Sequence, residues 1–262
     1  MMPGYSIRIL PPSSNKIPSA KIEEFAQVMN GKIASTPPQI FDLTSKPPRK
    51  GFDASSVKVV DYGLKATYLL EEEVIIPTAA GDAKNFRKIT IECKFIRKEG
   101  ILLISSSTDN VDIVSKAWAD VFFPDKLVNC PGIELNLTQL HELVNNHART
   151  VIDISHVECK GLEKIRMKAY DLPKKDWYKD EGFDSFKVDQ ITFIPKLTSA
   201  LANRTPICRV YKSGRFVIYH NAKFSNDEFE QIELQIVDMI SKILGGPLCK
   251  AGSSTNQGRL VV

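Results

Sequence analysis

A strand pair followed by an amphipathic helix occurs twice in this chain, and that recurrence limits the available folds more than any other feature. Near the carboxy terminus, "RVYKSGRFVIYHN" (209–221) carries two apolar runs around the polar turn Lys212-Ser213-Gly214, a β-hairpin signal. Ser225-Asn226-Asp227-Glu228 has the spacing of a capping box. Phe229, Ile232, Ile236, Ile240 and Ile243 then fall on one side of the helix it opens. An ungapped shift of 115 residues lays "CKFIRKEGILLISS" on "CRVYKSGRFVIYHN", with Cys93 on Cys208, Phe95 on Val210 and Leu103 on Ile218. Asp109 caps the helix that follows the earlier copy, with Val111, Val114, Ala117 and Val121 on its apolar side.

The rest of each half fits the same order. In the first, "YSIRIL" reads as a strand, and Ser19 caps a helix carrying Ile22, Phe25, Val28 and Met29. Strand patterns follow at 57–70, in "EVIIPT", at 87–96 and at 100–107. In the second, "GIELNL" (132–137) reads as a strand and "TQLHELVNNHA" (138–148) as a helix. "TVIDISHV", "LEKIRMKAYDL" (162–172) and "FKVDQITFIPKL" (186–197) read as further strands. The expectation is an α+β fold made of a duplicated strand–helix–strands–helix unit, with one continuous antiparallel sheet and helices on one face. Residues 1–127 form the first repeat with a Pro-rich insertion at 35–56, residues 128–248 the second, and 249–262 a flexible tail. Two unrelated α+β segments with similar patterns are the alternative.

The composition narrows the function classes. Net charge is +4, from 35 Lys and Arg against 31 Asp and Glu, which permits a nucleic-acid partner without demanding one. Five cysteines and four histidines stand apart with no CxxC or HxxxH pair, so a zinc site built from local ligands is not expected. The odd, scattered thiols suit a reducing compartment, hence a cytoplasmic protein, or a nuclear or nucleoid one if DNA-bound. No apolar run reaches ~18 residues, so no membrane partner is expected. GxxxxGK[ST], GxGxxG and GxSxG are all missing, and no cofactor is expected.

"LEKIRMKAY" is the cleanest binding pattern. Strand alternation places Lys164, Arg166, Lys168 and Tyr170 on one face, and Ile165, Met167 and Ala169 on the other. A row of cations on an exposed strand suits a phosphate backbone. Arg209 and Lys212 extend it, as do Arg97 and Lys98 from the other half. A solvated edge strand guarded by lysines is the competing reading. "DLPKKDWYKDEGFDSF" (171–186) reads as a charged loop exposing Trp177 and Tyr178, residue types that stack on bases or anchor protein interfaces. Asp82 with Glu92-x-Lys94 matches a loose metal-nuclease pattern, two carboxylates for Mg²⁺ and a lysine. Glu158-x-Lys160 is a second instance, with Asp153 too near for the usual separation.

The element order resembles the tandem repeat of the TATA-binding-protein fold. The local likeness lies in "RVYKSGRFVIYHNAKFSNDEFEQIELQIVDMISKIL", where Tyr211 takes the place of the phenylalanine in that family's hairpin "LIFSSGK" and Ser213-Gly214-Arg215 take the place of its Ser-Gly-Lys. In the first half the aromatic place falls on Ile96 or Arg97, and the family's Phe-Pro-Gly stretch has no counterpart. The resemblance implies a saddle binding double-stranded DNA, with Tyr211 as the one wedge. The function expected is a non-enzymatic nucleic-acid-binding module. A protein-interaction or scaffold subunit and a divergent Mg-dependent nuclease are the alternatives.

Overall fold

The computed structural model describes residues 4–10, 21–27, 50–79, 81–105, 108–123, 128, 130–159, 162–169, 171–180, 187–198, 201–219 and 224–245. Most of the Pro-rich stretch 35–56, the tail 249–262 and Tyr170 lie outside them. The chain divides into two α+β units, Arg8–Pro131 and Met1–Ile7 with Gly132–Val262. In each, every described strand pairing is antiparallel.

Alternation shapes the first unit. Its elements are helix α1 (21–27), strands β2 (Lys50–Phe52), β3 (Lys58–Val60), β4 (Gly63–Thr78), β5 (Gly81–Ile96) and β6 (Ile101–Ser105), and helix α2 (Thr108–Phe122). The strand expected at 57–70 is in fact two, because Val60 pairs with Gly63 across a turn at Asp61-Tyr62. Every second residue of β4 (Leu64, Ala66, Tyr68 and Leu70) is buried. Opposite them stand Phe95, Cys93 and Ile91, then Leu102 and Ile104 of β6. The apolar side of α2, led by Val114, Trp118 and Phe122, joins this cluster, and Phe25 of α1 meets Phe122 edge-on with centroids 4.6 Å apart. Each large apolar side chain so buried contributes about 1.5–3 kcal/mol. Beyond Leu70 and Ile89, β4 and β5 continue as a two-stranded arm. Glu71 faces Lys88 and Glu72 faces Arg87 at its base, and Ile75 and Ile76 are exposed further out.

The second unit uses both faces of its sheet. Strand β1 (Gly4–Ile9) reaches it through Gly4 and Tyr5. The unit then has α3 (Leu137–Glu142), continued by a π-helical turn to His147, and strands β7 (Ala148–Cys159) and β8 (Leu162–Lys168). Helix α4 (Asp176–Asp180), strands β9 (Val188–Pro195), β10 (Ile207–Tyr211) and β11 (Phe216–Tyr219), and helix α5 (Asn226–Ile243) complete it. The strand expected at 132–137 is reduced to a bridge at Gly132 and an extended segment tied down by Leu135 N–H donating to the Lys212 carbonyl, because α3 begins at Leu137. The strand order is β1-β11-β10-β9-β7-β8, so β8 forms the edge. One apolar row crosses six strands: Met167, Ile154, Ile191, Val210, Phe216 and Tyr5. Ile232, Ile236, Ile240 and Ile243 form the buried stripe of α5. Ser225 caps that helix as its sequence predicts, accepting from Glu228 N–H while its own N–H donates to the Glu228 carboxylate.

Candidate nucleic-acid interface

Residues directly opposite one another in an antiparallel ladder project to the same side. On the face turned away from the apolar row, this rule assembles a polar surface. One line runs Lys168, Asp153, Thr192, Arg209 and Val217, and the next runs Arg166, Ser155, Gln190 and Tyr211. The cations Lys164, Arg166 and Lys168 of β8 are exposed on it, while Ile165, Met167 and Ala169 are half-buried, as alternation predicts. Arg209 and Tyr211, from the hairpin strand β10, stand on the same face with two strands, β7 and β9, between them and β8.

The floor of this surface is buried and polar. Asp153, Ser155, Gln190 and Thr192 are all nearly closed to solvent. Gln190 donates to Ser155 Oγ at 3.0 Å, and Arg209 Nε donates to Thr192 Oγ1 at 3.0 Å. Both Nε and a terminal nitrogen of Arg166 reach Asp153 Oδ2, at 2.6 and 2.5 Å. The other carboxylate oxygen, Oδ1, is buried and accepts no hydrogen bond. Such an atom is uncommon, since buried polar groups are nearly always paired.

Longer side chains form the rim. The Arg209 guanidinium lies 5.1 Å from the Tyr219 ring centroid, and the Arg215 guanidinium 5.9 Å from that of Tyr211. Burial, the first cause, raises the Tyr219 phenol above its ordinary pKa; Tyr211 and Asp153 raise it further, while Arg209 and Arg166 pull it down. Arg215 rests against Gly4, where a β-carbon would come within 2.5 Å of the guanidinium. Lys164 pairs with Asp189 at 2.5 Å. Lys212, in the β10–β11 turn, pairs with Glu134 at 2.8 Å, and its hydrogen bond holds that carboxyl below the usual glutamate range.

The remaining sequence candidates are placed elsewhere. Arg97 and Lys98 occupy the β5–β6 turn of the first unit, Arg97 N–H donating to the Tyr62 carbonyl and Lys98 lying 3.8 Å from the Glu99 carboxylate. Trp177 is exposed, but Tyr178 is not. The stretch expected as a loop coils into α4, which turns the Tyr178 ring inward, and its hydroxyl shares a 3.0 Å hydrogen bond with Nε2 of buried His156. The nuclease set does not assemble. Asp82 stands on the arm, ten residues along the same strand from Glu92, a separation of about 33 Å. Lys94 is buried, and Lys160 lies outside the described residues. Among the described residues no group of three His, Cys, Asp or Glu side chains is arranged to hold a metal ion. No described helix is long and apolar enough to cross a membrane.

Ser155, Gln190, Thr192 and Tyr219 were not singled out by their pattern in the sequence, and Asp153 entered only as a carboxylate too near Glu158 for a nuclease site. Their signal is the period-two placing of polar residues within "VIDISHV" and "VDQITFIP". No known protein-family model matches the chain, and no curated protein is similar to it in sequence.

Proposed function

We propose that the second unit binds nucleic acid through the polar face of its sheet. The observation that carries this reading is the cross-strand register, which gathers cations from two strands and a turn (Lys164, Arg166 and Lys168 of β8, Arg209 of β10, and Arg215 just before β11) onto one surface with Tyr211 and Tyr219. Two carboxylates, Asp153 and Asp189, oppose them, so the surface keeps a positive excess. Cations over aromatic side chains suit a charged backbone carrying flat bases. The duplicated saddle of TATA-binding-protein type belongs to the same proposal. In support of it, each unit ends in a hairpin with a buried inward cysteine, Cys93 or Cys208, a left-handed glycine, Gly100 or Gly214, and then a helix.

Labelled oligonucleotides, single strand and duplex together, test the reading at salt concentrations from about 50 to about 200 mM. Binding should weaken steeply across that range. Lys164→Ala with Lys168→Ala should weaken it further and flatten the log–log salt slope by roughly 0.7–0.9 for each phosphate no longer neutralised. Arg166 is left in place because it neutralises Asp153. A chain that binds neither form at the lowest salt does not have this function. The exposed Trp177 on α4 supports the second reading, a protein partner. That reading takes over if oligonucleotides fail.

A further inference from the structure

We infer that the ligand of this face is an unpaired nucleotide chain, bound with a base turned inward so that a donor on its Watson–Crick edge meets Asp153 Oδ1. The inference rests on the nucleic-acid reading above and adds strandedness and orientation to it.

Charge sets the orientation. A phosphate laid on the floor would face a buried carboxylate, one of whose oxygens is already taken by Arg166 while the other has no donor. Buried anions repel anions strongly, because little water screens them. Phosphates are therefore confined to the rim, where Lys168 and Arg215 stand. The floor instead lacks a hydrogen-bond donor at Oδ1. Every common base carries an N–H on its Watson–Crick edge, and in a duplex that donor is already used in pairing. An unpaired base brings it free, together with a flat face for Tyr219 or Tyr211. With Oδ2 held by Arg166, a single donor is satisfied, so the site recognises an unpaired base without singling out one of the four.

Asp153 is 1% exposed, so access has a mechanical requirement. Arg209, in line with Asp153 on the far side of Thr192, is held to the floor by its bond to Thr192 Oγ1, with its guanidinium over the Tyr219 ring. Swinging that pair aside admits the base and exchanges the Arg209–Tyr219 stack for one with the incoming ring. Single-stranded DNA and RNA share this chemistry.

The test uses the full chain and four probes: oligothymidylate, oligouridylate, oligothymidylate methylated at every N3, and a DNA duplex of the same length. N3-methylation removes the donor and leaves the backbone charge and the ring intact. A hydrogen bond to a buried charge predicts that the methylated strand binds roughly tenfold or more weakly than its parent. The duplex should also bind more weakly than the single strand. Asp153→Asn, whose amide oxygen accepts more weakly than a carboxylate, should narrow the difference between methylated and unmethylated strands. The comparison of strands on the unaltered protein stands even if that variant folds poorly. Equal binding of methylated and unmethylated strands, or a duplex bound as well as the strand, overturns the inference and leaves the nucleic-acid reading standing. Binding of none of the four, at low salt, overturns both. Oligouridylate against oligothymidylate tells whether RNA or DNA is preferred.

Discussion

Two residues show how local chemistry constrains the candidate face. Gly214 takes φ +70 in the turn that presents Tyr211 and Arg215, and a β-carbon there would fall inside the side chain of Ile133. Gly214→Ala therefore combines backbone strain with overpacking, and thermal denaturation should show a loss of about 2–4 kcal/mol. Arg166 has a different role. Its partner Asp153 is buried, so Arg166→Ala leaves a carboxylate in the sheet without a counter-charge. Chemical denaturation should show a cost on the order of 3 kcal/mol, and adding Asp153→Asn should recover part of it. If Arg166→Ala costs nothing, Asp153 is not the buried anion on which the floor depends. The exposure of the lysines at 164 and 168 was legible because strand alternation alone places them on the solvent side. Asp153 was not, because its burial depends on which strands flank it.

At the scale of single elements, α5 follows its sequence closely. Its capping box closes as spaced, and Arg204 adds a second partner to Glu228 with a terminal nitrogen 2.5 Å from the carboxylate. The Ser225 backbone N–H, first, and then Arg204 lower the Glu228 pKa below its ordinary value. A depressed carboxyl contributes stability above the unfolded value of 4.5 and loses it as the pH falls through the folded value beneath. Acidification from neutrality to well below 4.5 should thus destabilise the native chain more than it destabilises the Glu228→Gln variant. The variant should start lower at neutral pH, and urea titrations at the two pH values check both statements. Other elements departed from expectation for identifiable reasons. The 57–70 run folds back on itself at Asp61-Tyr62, and the charged stretch around Trp177 coils into one helical turn whose Tyr178 finds His156. Short polar segments carry weak periodicity, so contacts from distant residues decide them.

On the scale of the whole chain, burial in the two cores accounts for three of the five scattered thiols. Cys93, Cys130 and Cys208 are all buried and free, and burial raises each thiol pKa, that of Cys93 to about 12. Thiolate is the reactive form, so these three should resist alkylation in the native state and react together on denaturation, as peptide mapping would show. Rapid native labelling of Cys93 or Cys208 would contradict their place in the cores. The α+β class, the antiparallel strands, the hairpin–helix endings and the exposed row on β8 followed from the amino-acid sequence alone, because each rests on periodicity within a few neighbouring residues. Strand order did not. β9 pairs with β7 rather than with β8, and only that choice puts Thr192 and Arg209 in line with Asp153, which the β7–β8 hairpin already sets beside Arg166. Hydrogen bonding between strands is indifferent to side-chain identity, so many orders satisfy the same local pattern. The packing of the complete apolar row selects one of them, and that selection made the polar floor.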